Sequence, residues 1–197
     1  VAGGVNICGS VIGLQSAAVN ISGAVAGAQV GVLNISGDIS GCQIGVVNVA
    51  KNMKGVGIGL LNFIGNGIQS PEVAYNDQKM IDVAFKLGSP TFYTFVSLGV
   101  GGAVKDKITG SENGAPVHTT EWYVDRVAPG AGFGFHIPAG RLYVDLVTSG
   151  AAIMPDFTAA SWNASQNFWA REEVLVGLSF FRHLSLVAGL TYNLLLD

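Results

Sequence analysis

Asn6, Asn20, Asn34, Asn48 and Asn62 recur at intervals of 14 residues, and the residues between them align without a gap. A short fixed period marks a tandem repeat, in which each unit buries its apolar side only against its neighbours. The units read ISGAVAGAQVGVLN, ISGDISGCQIGVVN and VAKNMKGVGIGLLN, and FIGNG begins one more before the pattern stops. Gln15, Gln29 and Gln43 share a column that Gly57 occupies in the last unit, and Gly31, Gly45 and Gly59 share another. Residues 1–69 are thus a repeat region and 70–197 a non-repeat region, read together as one domain.

Within a unit, Ala28 to Ser36 alternates and is rich in Val and Ile, while SGDISG is a run of turn formers. That pattern fits one strand of about nine or ten residues plus a short turn, the length a β-strand needs to cross a bilayer. Two architectures host it. In an up-and-down meander, successive asparagines alternate between rims and assist turns. In a solenoid each unit is one coil, and the Asn and Gln columns become hydrogen-bonded ladders. Even spacing favours the solenoid, whereas a 14-residue coil is thin and leaves little apolar interior. Val30 and Val32 share the parity of Asn34, while Leu33 and Ile35 share that of Gln29, so the apolar side switches near the asparagine. A bulge or strand end there would reconcile the two.

From about Lys79 onward the strands are longer. Ile81, Val83, Phe85 and Leu87 oppose Asp82, Ala84 and Lys86, and the same split recurs over 94–104, 131–137, 142–146, 173–180 and 184–194. One face is apolar each time, and the other holds Gly, Ser and Ala with isolated charges. A face turned to water would carry Lys, Glu and Thr instead, whereas small polar groups suit a crowded, hydrated barrel interior whose outer face meets lipid.

Composition agrees. Charged residues make up 12% of the chain, against roughly 25% in soluble domains, and mean hydropathy is +0.46. Residues 1–70 contain only Asp38, Lys51 and Lys54 as charged groups; the other 20 lie beyond. Every apolar run falls short of the ~18 residues a membrane helix needs, so bilayer crossing requires closed β structure. A net charge of −3 provides no basic field for nucleic acid.

The expected fold is all-β, an antiparallel outer-membrane-type β-barrel of about 12 strands whose first four or five come from the repeat. The alternative is a β-solenoid packed on a smaller β-domain. Asp82, Lys86, His136, Arg141, Asp145 and Glu173 are the expected lumen cluster, setting pore charge or plugging the interior with ion pairs. Residues 105–121 read as a polar mobile loop. Pro155, Trp162, Phe168 and Trp169 read either as an interfacial aromatic girdle or as a loop folded back on the barrel. Cys8 and Cys42 read as buried, unpaired thiols. No catalytic residue, cofactor or metal is expected: His118, His136 and His183 lack a second ligand at metal spacing, no serine stands out to complete a hydrolase site on His136, and no helix follows Gly55, Gly57 and Gly59. Because the chain starts inside the repeat, a leader and earlier units are expected upstream.

The G-x-Q-h-G-h-h-N units, the following SPEVAYNDQKMIDVAFKLGSPTFYTFVSLGVGG, the GFGFHI strand and the closing RHLSLVAGLTYNLLL together resemble uncharacterised repeat-containing surface proteins of Gram-negative bacteria. The resemblance implies an exported protein of the outer membrane or cell surface and carries no catalytic residues. The expected role is a passive one, scaffold or narrow pore, with outer-membrane lipid and other surface proteins as partners. A surface-binding or adhesion protein built on a repeat solenoid is the alternative.

Overall fold

The computed structural model describes residues 2–112, 115–154, 168–181 and 184–196. Strands β1 (Ala2–Val30), β2 (Leu33–Ile44), β3 (Val47–Ile58) and β4 (Leu61–Ile64) form a parallel sheet in that order. Strands β5 (Ile68–Tyr75), β6 (Met80–Gly88), β7 (Phe92–Glu112), β8 (Ala115–Ala139), β9 (Leu142–Ala152), β10 (Phe168–Phe181) and β11 (Leu184–Leu196) form a seven-stranded antiparallel meander.

In the parallel sheet Asn20 lies opposite Asn34, Asn34 opposite Asn48 and Asn48 opposite Asn62. Parallel pairing at the repeat length requires each unit to make a full turn and return, so the repeat is a solenoid. This corrects the expected antiparallel barrel of about 12 strands, to which the repeat would have added its first strands. The fold is the alternative, stacked coils beside an antiparallel sheet. Strand length differs as well: β2 and β3 each run 12 residues, separated by two-residue bends at 45–46 and flanked by others at 31–32 and 59–60. These bends reset strand parity, so Val30 and Val32 point outward although they share the parity of buried Asn34.

The thin coil closes because its interior is largely amide. Asn20, Asn34, Asn48, Asn62, Gln15, Gln29 and Gln43 are all 0% exposed and Asn6 is 7%, leaving one apolar column of Val11, Val25, Ile39 and Met53. Buried amides are tolerated only when bonded. Asn20 Nδ2 donates to Asn34 Oδ1 (2.8 Å), Asn34 to Asn48 (2.9 Å) and Asn48 to Asn62 (2.8 Å). The glutamine ladder runs the other way: Gln43 Nε2 donates to Gln29 Oε1 and Gln29 to Gln15, each at 2.8 Å. Ser22 and Ser36 Oγ accept the second glutamine proton at 3.0 and 3.2 Å.

The stack ends where Gly57 replaces glutamine. Met53 and Ile64 occupy that space, and Gln43 Oε1 is left buried without a partner. β4 is too short to cover β3, and the Asn66 side chain substitutes for a strand: its Oδ1 accepts from Met53 N (2.8 Å) and its Nδ2 donates to Met53 O (3.0 Å). The antiparallel sheet joins here, with Thr94 Oγ1 donating to Leu60 O (3.1 Å) and Asn62 Nδ2 reaching Thr94 Oγ1 (3.4 Å).

Each of the six alternating segments of the sequence lies within one of strands β6 to β11, of which β7 to β10 run longer than their segments, and β5 had no counterpart there. Residues 105–112 and 115–121 are not a loop. They extend the β7–β8 hairpin, with Lys105 opposite Glu121 and Lys107 opposite Thr119, because alternating polar residues ladder as readily as apolar ones once the strands are in register. Cys8 and Cys42 are unpaired but only half-buried, Cys8 lying against the apolar column at the thin coil's margin. Pro155, Trp162 and His183 lie outside the described residues. The meander curls: Arg171 on β10 meets Asp82 on β6 (3.1 Å), and Asn193 on β11 donates to Asp77, beyond β5, at 2.8 Å. β5 and β11 each pair on one side only, so the ladder is not closed, and a seven-strand meander leaves these two edges running in the same direction.

A glycine column unremarked in the sequence holds the coils together. Gly27, Gly41 and Gly55 have φ of 136°, 140° and 140°, and a Cβ on any of them would strike the carbonyl oxygen of the glycine one coil earlier. Gly41→Ala is therefore expected to lower stability by at least about 2 kcal/mol. Gly9→Ala, with open space at its Cβ, should change it by less than about 0.5 kcal/mol. Thermal unfolding followed by circular dichroism checks the pair.

Candidate functional site

The curled sheet encloses an open cavity of about 880 Å³. Parity decides what faces it. Odd residues of β7, β9 and β10 and even residues of β6 and β8 point in, bringing Lys86, Tyr93, His136, Asp145 and Glu173 toward one another from five strands. Inward glycines make this possible: Gly134 leaves room for the Tyr93 ring and Gly177 for the Tyr143 ring.

Asp145 is the hub. It is 2% exposed; its Oδ2 accepts from Tyr93 OH at 2.9 Å, and its Oδ1 lies 2.6 Å from His136 Nδ1. Lys86, 6% exposed, sits 3.6 Å from Asp145, 2.5 Å from Glu72 Oε2, and 4.8 Å from the centre of the Tyr93 ring. The His136 ring packs on Tyr143 with centroids 4.8 Å apart. Nearer the other rim, Arg171 spans Asp82 and Asn193, the latter at 3.2 Å, and Glu173 accepts from Thr191 at 3.3 Å. Charges taken out of water survive only with such partners in place.

Of the residues expected in a lumen cluster, Asp82, Lys86, His136, Asp145 and Glu173 line the cavity. Arg141 does not: it lies in the β8–β9 turn with its side chain exposed, because parity carries no meaning once a strand turns. Glu72, Tyr93 and Arg171 were missed. Glu72 lies on the unforeseen β5, while Tyr93 stands one residue before the alternating run yet keeps the parity of its small-residue face. Trp169 faces the cavity and Phe168 faces out at 52% exposure, so the two do not form a common girdle. His118 is exposed on β8.

Chemically the arrangement is a set of ion pairs and hydrogen bonds centred on Asp145. No serine among the described residues hydrogen-bonds His136, and among those residues no three His, Cys, Asp or Glu side chains are grouped to hold a metal. The cluster ties β5, β6, β7, β8 and β9 across the cavity.

Removing the hub leaves buried charge unbalanced. Asp145→Ala is expected to cost about 3–5 kcal/mol, with Lys86→Met similarly harmful. The double variant Asp145→Ala/Lys86→Met should lose less than the sum, since neither member of that pair is then left without the other. Urea titration of the three variants gives the coupling directly.

No protein-family profile matches the chain, and neither a curated protein nor a solved structure does.

Proposed function

We propose that this chain is an integral outer-membrane protein of a Gram-negative bacterium whose antiparallel sheet stands in the bilayer as a passive scaffold. One observation carries the reading: polarity is inverted across the sheet. Val83, Phe135, Val176 and Leu190 are 50%, 50%, 52% and 81% exposed on the outer face, while Lys86 and Asp145 are buried within. Leaving apolar surface in water costs about 25 cal/mol per Å², and soluble monomers seldom expose contiguous apolar patches beyond a few hundred Å². Hydrocarbon removes that cost.

Lipid also demands that every backbone group be paired. Closure of the seam between β5 and β11 is therefore part of the proposal, and the Asn193 side chain of β11 reaches Asp77 in the turn that follows β5. The ion pairs across the cavity support a plugged scaffold over an open pore. A second reading, a surface-binding or adhesion protein, is favoured by the presence of a true solenoid with a polar flank at Asp38, Lys51, Asn52 and Lys54.

Purification with and without detergent separates them. The membrane reading expects a monomer only in detergent, co-flotation with liposomes and faster gel migration before boiling than after. A chain that is folded and monomeric without detergent contradicts it and leaves the binding reading. In planar bilayers little conductance is expected from the wild-type chain; a steady open conductance would replace the scaffold by a pore.

A further inference from the structure

The solenoid has an apolar flank of its own. Val30, Ile44 and Ile58 form one column along it, exposed 36%, 41% and 46%, and Val32, Val46 and Leu60 another at 57%, 47% and 63%. The opposite flank carries Asp38, Lys51, Asn52 and Lys54, with Asn52 Nδ2 bonded to Asp38 Oδ1 at 2.8 Å. The large apolar side chains most exposed on that side, Ile12 and Leu14, belong to the first coil.

Two further features say what covers the apolar flank. The first is the internal bonding of its backbone at the bends 31–32 and 45–46. Bends ordinarily leave amides and carbonyls to water, yet here Gly31 N donates to Ile44 O, Gly45 N to Ile58 O, and Val46 N to Val32 O, each at 3.0 Å. The buried asparagines complete the set: Asn20, Asn34 and Asn48 Nδ2 donate to the carbonyls of Val30, Ile44 and Ile58 at 2.9, 3.0 and 3.0 Å. The residues that present the apolar side chains thus have their carbonyls bonded from within, which hydrocarbon requires and water does not. The second is continuity. The flank meets the antiparallel sheet where Leu60 O accepts from Thr94, and Thr94 shares the outer face of β7 with exposed Val96 and Leu98.

We propose that this flank is a second lipid-contacting surface, seating the solenoid against the same bilayer that holds the sheet, with the Asp38–Lys54 flank turned to water. The proposal rests on the outer-membrane reading. It makes the Asn column a device for lipid exposure as well as for stacking.

The test uses the full chain with Cys8→Ser and Cys42→Ser, reconstituted in phosphatidylcholine–phosphatidylglycerol liposomes, with a nitroxide on Val46→Cys, Asn52→Cys or Val83→Cys in turn. Collision with oxygen, which concentrates in lipid, is compared with collision with a water-soluble nickel chelate. The expected oxygen-to-nickel ratio is several-fold higher at positions 46 and 83 than at 52. A high ratio at 83 with an aqueous ratio at 46 overturns this inference and leaves the membrane reading standing. Aqueous ratios at both overturn the membrane reading itself. Low access to both colliders at 46, with spin–spin broadening, overturns lipid as the occupant in favour of a second copy.

Discussion

A coil of 14 residues encloses too little space for an apolar core, and the side-chain amide is what lets it close. Asn20, Asn34 and Asn48 each donate once to the next coil's asparagine and once to a bend carbonyl, so a single residue type fixes both the distance between coils and the shape of each coil. The glutamine column does the same from the other side with its donors reversed, so the two lines of amide dipoles oppose each other. Chains of such bonds in a low-dielectric interior strengthen one another. A one-residue slip would place apolar side chains in the amide columns, and the register therefore follows the repeat to the residue.

The loss of one amide also sets where the solenoid stops. Without a glutamine at position 57, Gln43 Oε1 is stranded, a cost of about 1–3 kcal/mol, and the interior changes from amide to the apolar pair Met53 and Ile64. Asn66 then blunts the open edge, as exposed strands must be blunted. Beyond it the chain turns from parallel stacking to an antiparallel meander whose polarity is inside out, ion pairs within and Val, Leu and Phe without. Both halves meet the same demand by different means. Each bonds most of its buried polar groups internally, through the amide ladders in one half and the ion pairs around Asp145 in the other, which leaves the outer surface free to be apolar.

Much of this was legible in the residues. The Asn period held the register, though not the parallel direction, since a meander and a solenoid share a period and differ only in what each unit does after its turn. Alternation located β6 to β11 because their faces differ so sharply, and it pointed Asp82, Lys86, His136, Asp145 and Glu173 to one side. It failed where alternation fails physically. Arg141 sits in a turn, Pro71 and Glu72 interrupt the pattern of β5, and the polar tip of the β7–β8 hairpin has the composition of a loop but the pairing of a strand. The Gly27, Gly41 and Gly55 column was visible as a period, yet its reason, a carbonyl one coil away, exists only in three dimensions.

The central claim is that lipid solvates the outer face of the antiparallel sheet. It is tested most directly by nuclear Overhauser contacts in nanodiscs, using a deuterated chain with protonated Val, Leu and Ala methyls. The account expects cross-peaks from acyl-chain methylenes to Val83, Val96, Leu146 and Val176, and none to the inward methyls of Ala84, Ala128 and Val147. Water cross-peaks at the outer methyls, or acyl contacts to both sets alike, would contradict it.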